Sequence, residues 1–269
     1  MTNLKRWALI GAVAIASALG VPAAAGSAAP GSTTVKDMDL SKSFATRSPW
    51  RLTATQGPPI AWDATASGAD ELGELHPCLH RAASSACDPA LRVTLRAGVG
   101  DDYFSTPHYL NQAQVVHGSG RPQLLVRTAS LHAADSGQIV LTQLLAYRPG
   151  RDRFVRVYEH ATGTNNNQED RFIETGRLKG DVISAEPTQN APYGFWITLN
   201  APTAAGPYKQ VLRYRSATHY NDGNRLAAID SEMPTILQHL GLWRPGMPLP
   251  RPAGPCPKPH MVGKEMWCE

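Results

Sequence analysis

Apolar and polar residues alternate with a period of two along much of the chain, and that period predicts half-buried strands. Trp50, Leu52 and Ala54 alternate with Arg51, Thr53 and Thr55. Leu91, Val93 and Leu95 alternate with Arg92, Thr94 and Arg96. From 121 to 216 the pattern becomes dense. Segments 123–131, 138–147, 153–160, 168–175, 181–186, 193–200 and 208–216 all read as strands. Turn residues separate them: Ser136-Gly137, Pro149-Gly150, Gly163, Gly176, Gly180 and Gly206-Pro207. Strands so close in sequence pair as antiparallel neighbours.

Elsewhere the pattern breaks. Residues 56–90 carry Pro58-Pro59, Gly68 and two cysteines, and read as an irregular loop with a helical turn. Residues 234–242 read as one short helix, with Pro234 at its first position and Gly241 as its stop. Proline then recurs at 245, 248, 250, 252, 255, 257 and 259, which excludes helix and inner strand. With 23 Gly and 22 Pro punctuating 269 residues, the expected fold is all-β. It is a two-layer antiparallel β-sandwich, jelly-roll-like, with short helical pieces and a Pro-rich C-terminal tail. The expected division is a signal peptide at 1–25, a flexible mature N-terminus at 26–46, one sandwich domain at 47–243 and the tail at 244–269.

The first segment changes the picture of where the chain works. Lys5 and Arg6 precede an apolar run from Trp7 to Val21, and Ala23-Ala24-Ala25 stand before Gly26. This order predicts a cleaved secretory signal; the run is shorter than the ~20 residues of a membrane-spanning helix. Export puts the chain in the periplasm or outside the cell, with no membrane span after cleavage. There, Cys78, Cys87, Cys256 and Cys268 read as two disulfides. Pairing Cys78 with Cys87 and Cys256 with Cys268 closes two short loops. Neither pair has C-x-x-C spacing, so no metal site is expected from them. Without Lys5 and Arg6 the 26 basic residues fall to 24, against 22 acidic. That balance excludes the concentrated basic surface of a nucleic-acid binder. The sequence sets no oligomeric state.

Common catalytic signatures are missing: there is no G-x-S-x-G, no H-E-x-x-H and no G-x-x-x-x-G-K-[ST]. No cofactor is expected. Segment 153–160 places Phe154, Arg156, Tyr158 and His160 on one face if the strand is regular. Rings that stack on sugar faces, interleaved with cations that pair with carboxylate, suit an acidic polysaccharide. The run Asn165-Asn166-Asn167-Gln168-Glu169-Asp170 offers oxygen ligands for sugar hydroxyls in a turn where Asn is at home. Asn165 and Asn167 are the candidates there. Asp101-Asp102-Tyr103-Phe104 with His108, Tyr109 and Asn111 reads as a structural loop with packed aromatics.

One further stretch, Tyr214-Arg215-Ser216-Ala217-Thr218-His219-Tyr220-Asn221, resembles the Y-F-K-x-G-x-Y-x-Q strand of alginate-lyase-like polysaccharide lyases, which are β-jelly rolls. Arg121-Pro122-Gln123-Leu124-Leu125-Val126-Arg127 and Gln138-Ile139-Val140 are similar, in order, to that family's R-x-E-L-R and Q-I-H strands. The resemblance implies Tyr220 as acid/base beside Tyr214, with Arg127 or Gln138 neutralising a uronate carboxylate so that the proton α to it can be removed. Arg215 and His219 would contact substrate. The departures are specific: Val140 stands at the family's histidine and Ser216 at its lysine. The leading expectation is therefore an exported, non-catalytic module that binds envelope or extracellular polysaccharide. The alternatives are a lyase acting on a uronic-acid polymer by β-elimination, and a structural or protein-interaction module.

Overall fold

The computed structural model describes residues 31–61, 70–95, 102–118, 120–134, 136–164, 167–204 and 206–269. The predicted signal segment, Gly68, Arg96, Asp101, Asn165 and Asn166 lie outside these residues.

Three antiparallel meanders stack face to face. The first contains β1 (Thr33–Asp39), β2 (Trp50–Gln56) and β3 (Leu75–Arg81), with the short helix α1 (Ser41–Phe44) between β1 and β2. After α2 (Asp102–Ser105), the second runs in order β4 (Tyr109–His117), β5 (Pro122–Ala129), β6 (Ile139–Arg148) and β7 (Arg153–Gly163). The third contains β8 (Glu169–Phe172), β9 (Val182–Pro187), β10 (Gly194–Pro202) and β11 (Tyr208–His219). Helix α3 (Ala228–His239) covers its outer face, and a hairpin of β12 (Pro259–Val262) and β13 (Glu265–Cys268) closes the chain.

Strand parity explains the layers. Trp50, Leu52 and Leu79 pack with Leu124, Val126, Leu145, Tyr147 and Phe154 between the first two sheets. Leu125 and Leu144, one residue out of phase, pack with Phe172 and Val182 between the second and third. Ile183, Ala185, Phe195, Ile197 and Leu199 turn the other way and meet Ala228, Ile229 and Ile236 of α3. The central sheet is buried on both faces, which is why β5 and β6 read as nearly continuous apolar runs.

The all-β sandwich is therefore observed, but with three stacked sheets instead of the expected two layers. The jelly-roll connectivity is not: every hydrogen-bonded neighbour within each sheet is also a neighbour in sequence, whereas a jelly roll needs Greek-key crossovers. Other expectations need correction. The supposed flexible leader, 26–46, supplies β1 and α1 from Thr33 onward; Leu40 and Phe44 face the core from one side of that turn and hold it down. Residues 56–90 contain β3, whose Leu75, Pro77 and Leu79 alternate inward. Pro77 is tolerated because β3 is an edge strand.

Segment 91–95 buries Leu91 and Leu95 but is not a strand. The amide of Gln143 takes the place of a neighbouring strand, accepting from Arg92 N at 2.9 Å and donating to Arg92 O at 2.9 Å. Helix α3 starts at Ala228, so Pro234 lies inside it. The apolar stripe Ile229, Met233, Ile236, Leu240 carries the helix past the proline.

The tail is more than an extended strap, because β13 lies on α3. Met266 is fully buried, and Thr235 Oγ1 donates to Lys264 O at 3.0 Å. The disulfides join Cys78 to Cys87 and Cys256 to Cys268, with Cα separations of 5.1 and 5.5 Å.

Candidate functional site

A β-bulge in β7 rearranges the expected aromatic and basic face. Leu144 opposes Tyr158 and Leu145 opposes Arg156, so Val157 is the extra residue. A bulge of this kind switches the side of the sheet taken by everything beyond it. Phe154 is consequently buried between the first and second sheets, with Phe44 and Trp50 edge-on to it. Arg156 stays on that side, paired with Glu159 at 2.6 Å. Tyr158 and His160 turn to the opposite side, toward the third sheet. The four residues therefore do not form one binding face.

Tyr158 and His160 meet two carboxylates of the third sheet. The Tyr158 hydroxyl lies 3.2 Å from both oxygens of Asp170, a side chain with no exposed surface. His160 Nδ1 is 3.2 Å from Asp170 Oδ1, and its Nε2 is 3.4 Å from Glu186 Oε1. Burial works to lower the His160 pKa, but the hydrogen bonds and charges of Asp170 and Glu186 outweigh it and hold the imidazole up to about 10. The hydrogen bond from His160 in turn keeps Glu186 below the usual carboxylate range, with Arg213 adding to the effect. The polar run after Gly163 is thus only partly a loop. Asp170 and Glu169 belong to β8, where Glu169 accepts from Arg171 at 2.8 Å and from Ile229 N at 3.1 Å. Asn167 is exposed and takes a left-handed backbone, φ +57°, as a turn Asn tolerates.

From Glu186 a row crosses the third sheet. Glu186 opposes Trp196 on β10, and Trp196 opposes Arg215 on β11. The Arg213 guanidinium lies 5.0 Å from the centre of the Trp196 ring, and Trp196 keeps 37% of its surface exposed. Arg215 Nη2 donates to Asn190 O at 2.7 Å and to Pro192 O, fixing the loop before Tyr193. Tyr193 and Tyr220 stand at the end of this strand pair, 63% and 50% exposed, joined by the bond from Tyr220 N to Tyr193 O. His219 is exposed beside them, opposite Gly194. No family model, curated protein or solved structure matches this chain.

Arg215 lies beside Trp196, and His160 is linked to that row through Glu186; His219 and Tyr220 are exposed at the end of β11. The structure does not gather the four residues implied by the lyase resemblance. Tyr214 faces α3 on the other side of the third sheet, where its hydroxyl donates to Glu232 Oε2 at 2.8 Å. Burial, then the Glu232 carboxylate, push its pKa up. Glu232 also accepts from Thr218 Oγ1 and from the backbone of Ala217 and Thr218 at 2.8–2.9 Å. Tyr214 is thus part of the anchor between α3 and β11. Arg127 lies on β5 opposite Gln112 and Thr142. Gln138 is occupied at the start of β6, where Nε2 donates to Ser130 O at 2.7 Å.

Trp196, Arg213 and Tyr193 were missed from sequence. The available signal was parity. Trp196 shares its register with Thr198 and Asn200, while Phe195, Ile197 and Leu199 fill the core. A tryptophan on the polar side of a strand is the unusual observation. A second cluster joins Glu71, Tyr109 and His132: His132 Nδ1 is 2.9 Å from Glu71 Oε1, and the Tyr109 hydroxyl donates to Glu71. Burial, then the bond and charge of Glu71, push Tyr109 up to about 12. Among the described residues no group of three or more His, Cys, Asp or Glu is placed to hold a metal ion.

Proposed function

We propose that this protein is an exported, non-catalytic module that binds an acidic polysaccharide. The observation that carries the reading is an exposed tryptophan with one arginine over its ring and another opposite it, on a sheet whose other face is buried. An indole offers a flat apolar surface to a sugar ring, and guanidinium groups pair with carboxylates in a two-pronged geometry. Tyr193 and Tyr220 extend the surface by further aromatic faces. Glu186, the one carboxylate in the row, is balanced by His160 and Arg213. Two disulfides support the export reading, since such bonds persist in oxidising compartments. No helix among the described residues is long and apolar enough to cross a membrane.

The test is retention of the purified protein on immobilised uronic-acid polymers, with neutral polymers as controls. Binding to an acidic polymer is expected, weakened about tenfold or more in Trp196→Ala, as for an aromatic hot spot. Retention on no polymer would sink the proposal. Release of unsaturated chain ends, seen as ultraviolet absorbance, would make the protein a lyase instead.

A further inference from the structure

The hairpin tips at the far end of the second and third sheets converge on a second charged surface. The β4–β5 turn brings Arg121, and the β6–β7 turn brings Arg148 and Arg151. The β10–β11 turn brings Gly206 and Pro207. Two clefts lie among these tips, of about 510 and 490 Å³. Both are lined by Arg121 and Arg148, so they are contiguous; Arg151 and Arg156 complete the first. Each lies in the size range of ligand sites, roughly 300–1,000 Å³.

The walls are held in place. Arg148 lies against the backbone of Gly206, whose φ is +111°, so closely that a Cβ there would collide with the guanidinium. A Cβ on Gly118 would stand 2.8 Å from Gly180 Cα, so the β4–β5 and β8–β9 turns touch through bare backbone. The Tyr208 hydroxyl bridges them, 2.9 Å from Gln123 Oε1 and 2.7 Å from Gly180 O. Behind the β6–β7 turn, Asp152 is bound by Ser48 Oγ and Tyr147 Oη, both at 2.5 Å.

Charge identifies the ligand. No carboxylate lines either cleft among the described residues. Asp181, next to Gly180 in sequence, is not in the lining, and Asp152 is taken up behind the turn. Arg156 has Glu159 as partner, but Arg121 and Arg151 make no ion pair among the described residues. Converging like charge is self-repulsive and favours an anionic occupant. A carboxylate fills one guanidinium fork, whereas a tetrahedral oxyanion has enough acceptor oxygens to engage two at once. We propose that the two clefts form one site for clustered tetrahedral oxyanions, either phosphate or sulfate groups. The site is independent of the polysaccharide surface. Trp196 and Pro202 are separated along β10 by about 20 Å of extended strand.

Calorimetric titration of the purified protein with inorganic tripolyphosphate and, separately, with sulfated dextran tests this. Binding is expected, weakened at least tenfold in Arg121→Ser/Arg151→Ser and unchanged in the charge-matched control Arg244→Ser/Arg251→Ser. Both pairs are exposed, so unchanged melting temperatures check that the folds are intact. Gly206→Ala is expected to weaken binding by displacing Arg148. Tighter binding of the sulfated polymer would place the oxyanion on a polymer, and tighter binding of tripolyphosphate would make it a free phosphate; either result supports the site. No binding of either probe, or equal weakening in the control pair, would overturn it.

Discussion

Burial by itself would keep an imidazole neutral near pH 7. His160 departs from this because Asp170 and Glu186 reach it from the neighbouring sheet. Its pKa rises from 6.5 to about 10, so the folded chain binds a proton that the unfolded chain releases earlier. The contribution to stability is complete below pH 6.5 and is lost as pH rises toward 10. His160→Gln should therefore destabilise the protein by a few kcal/mol at pH 6, order of magnitude, and by progressively less up to pH 10. Urea midpoints measured across that range check it; a constant difference would show that the charge of His160 does not contribute. The histidine itself was legible in the sequence, as part of an alternating strand. Its partners were not, because Asp170 and Glu186 reach it only when two sheets stack.

At the scale of the element, the C-terminal hairpin is where composition misleads. A run of prolines predicts a strap over the surface, and for 244–258 that description holds. Beyond it, β12 and β13 pair from Pro259 to Cys268, with proline confined to a strand's first residue, where no ladder bond is lost. The hairpin then buries Met266 against α3. Met266→Ala should cost about 2–4 kcal/mol, and breaking the Cys256–Cys268 link, which spans 12 residues, about 2–3 kcal/mol. Thermal melts of the two variants give both values. A Met266→Ala protein as stable as its parent would mean that the hairpin is not a structural cover for α3. The β7 bulge teaches a related point. Segment 153–160 does alternate as a strand, but one inserted residue, Val157, sends its two halves to opposite layers.

For the whole molecule, the two proposed surfaces lie at different ends of the β10–β11 pair and should act independently. Trp196→Ala is expected to weaken retention on a uronic-acid polymer about tenfold or more and leave tripolyphosphate titration unchanged. Arg121→Ser/Arg151→Ser should do the reverse, and simultaneous loss of both activities in either variant would contradict separate sites. Binding at both should weaken as salt rises, because exposed charges are screened over about 8 Å at physiological ionic strength. The sequence by itself determined the β class and most strands from 123 to 216, and favoured the pairing of cysteines close in sequence, since these depend on local period and short loops. Only the tertiary structure decided the meander order, the side on which Phe154 and His160 fall, the exposure of Trp196 and the meeting of Arg121 with Arg148. Those depend on bulges, sheet stacking and the convergence of hairpin tips, interactions between residues too distant in sequence for local pattern to encode.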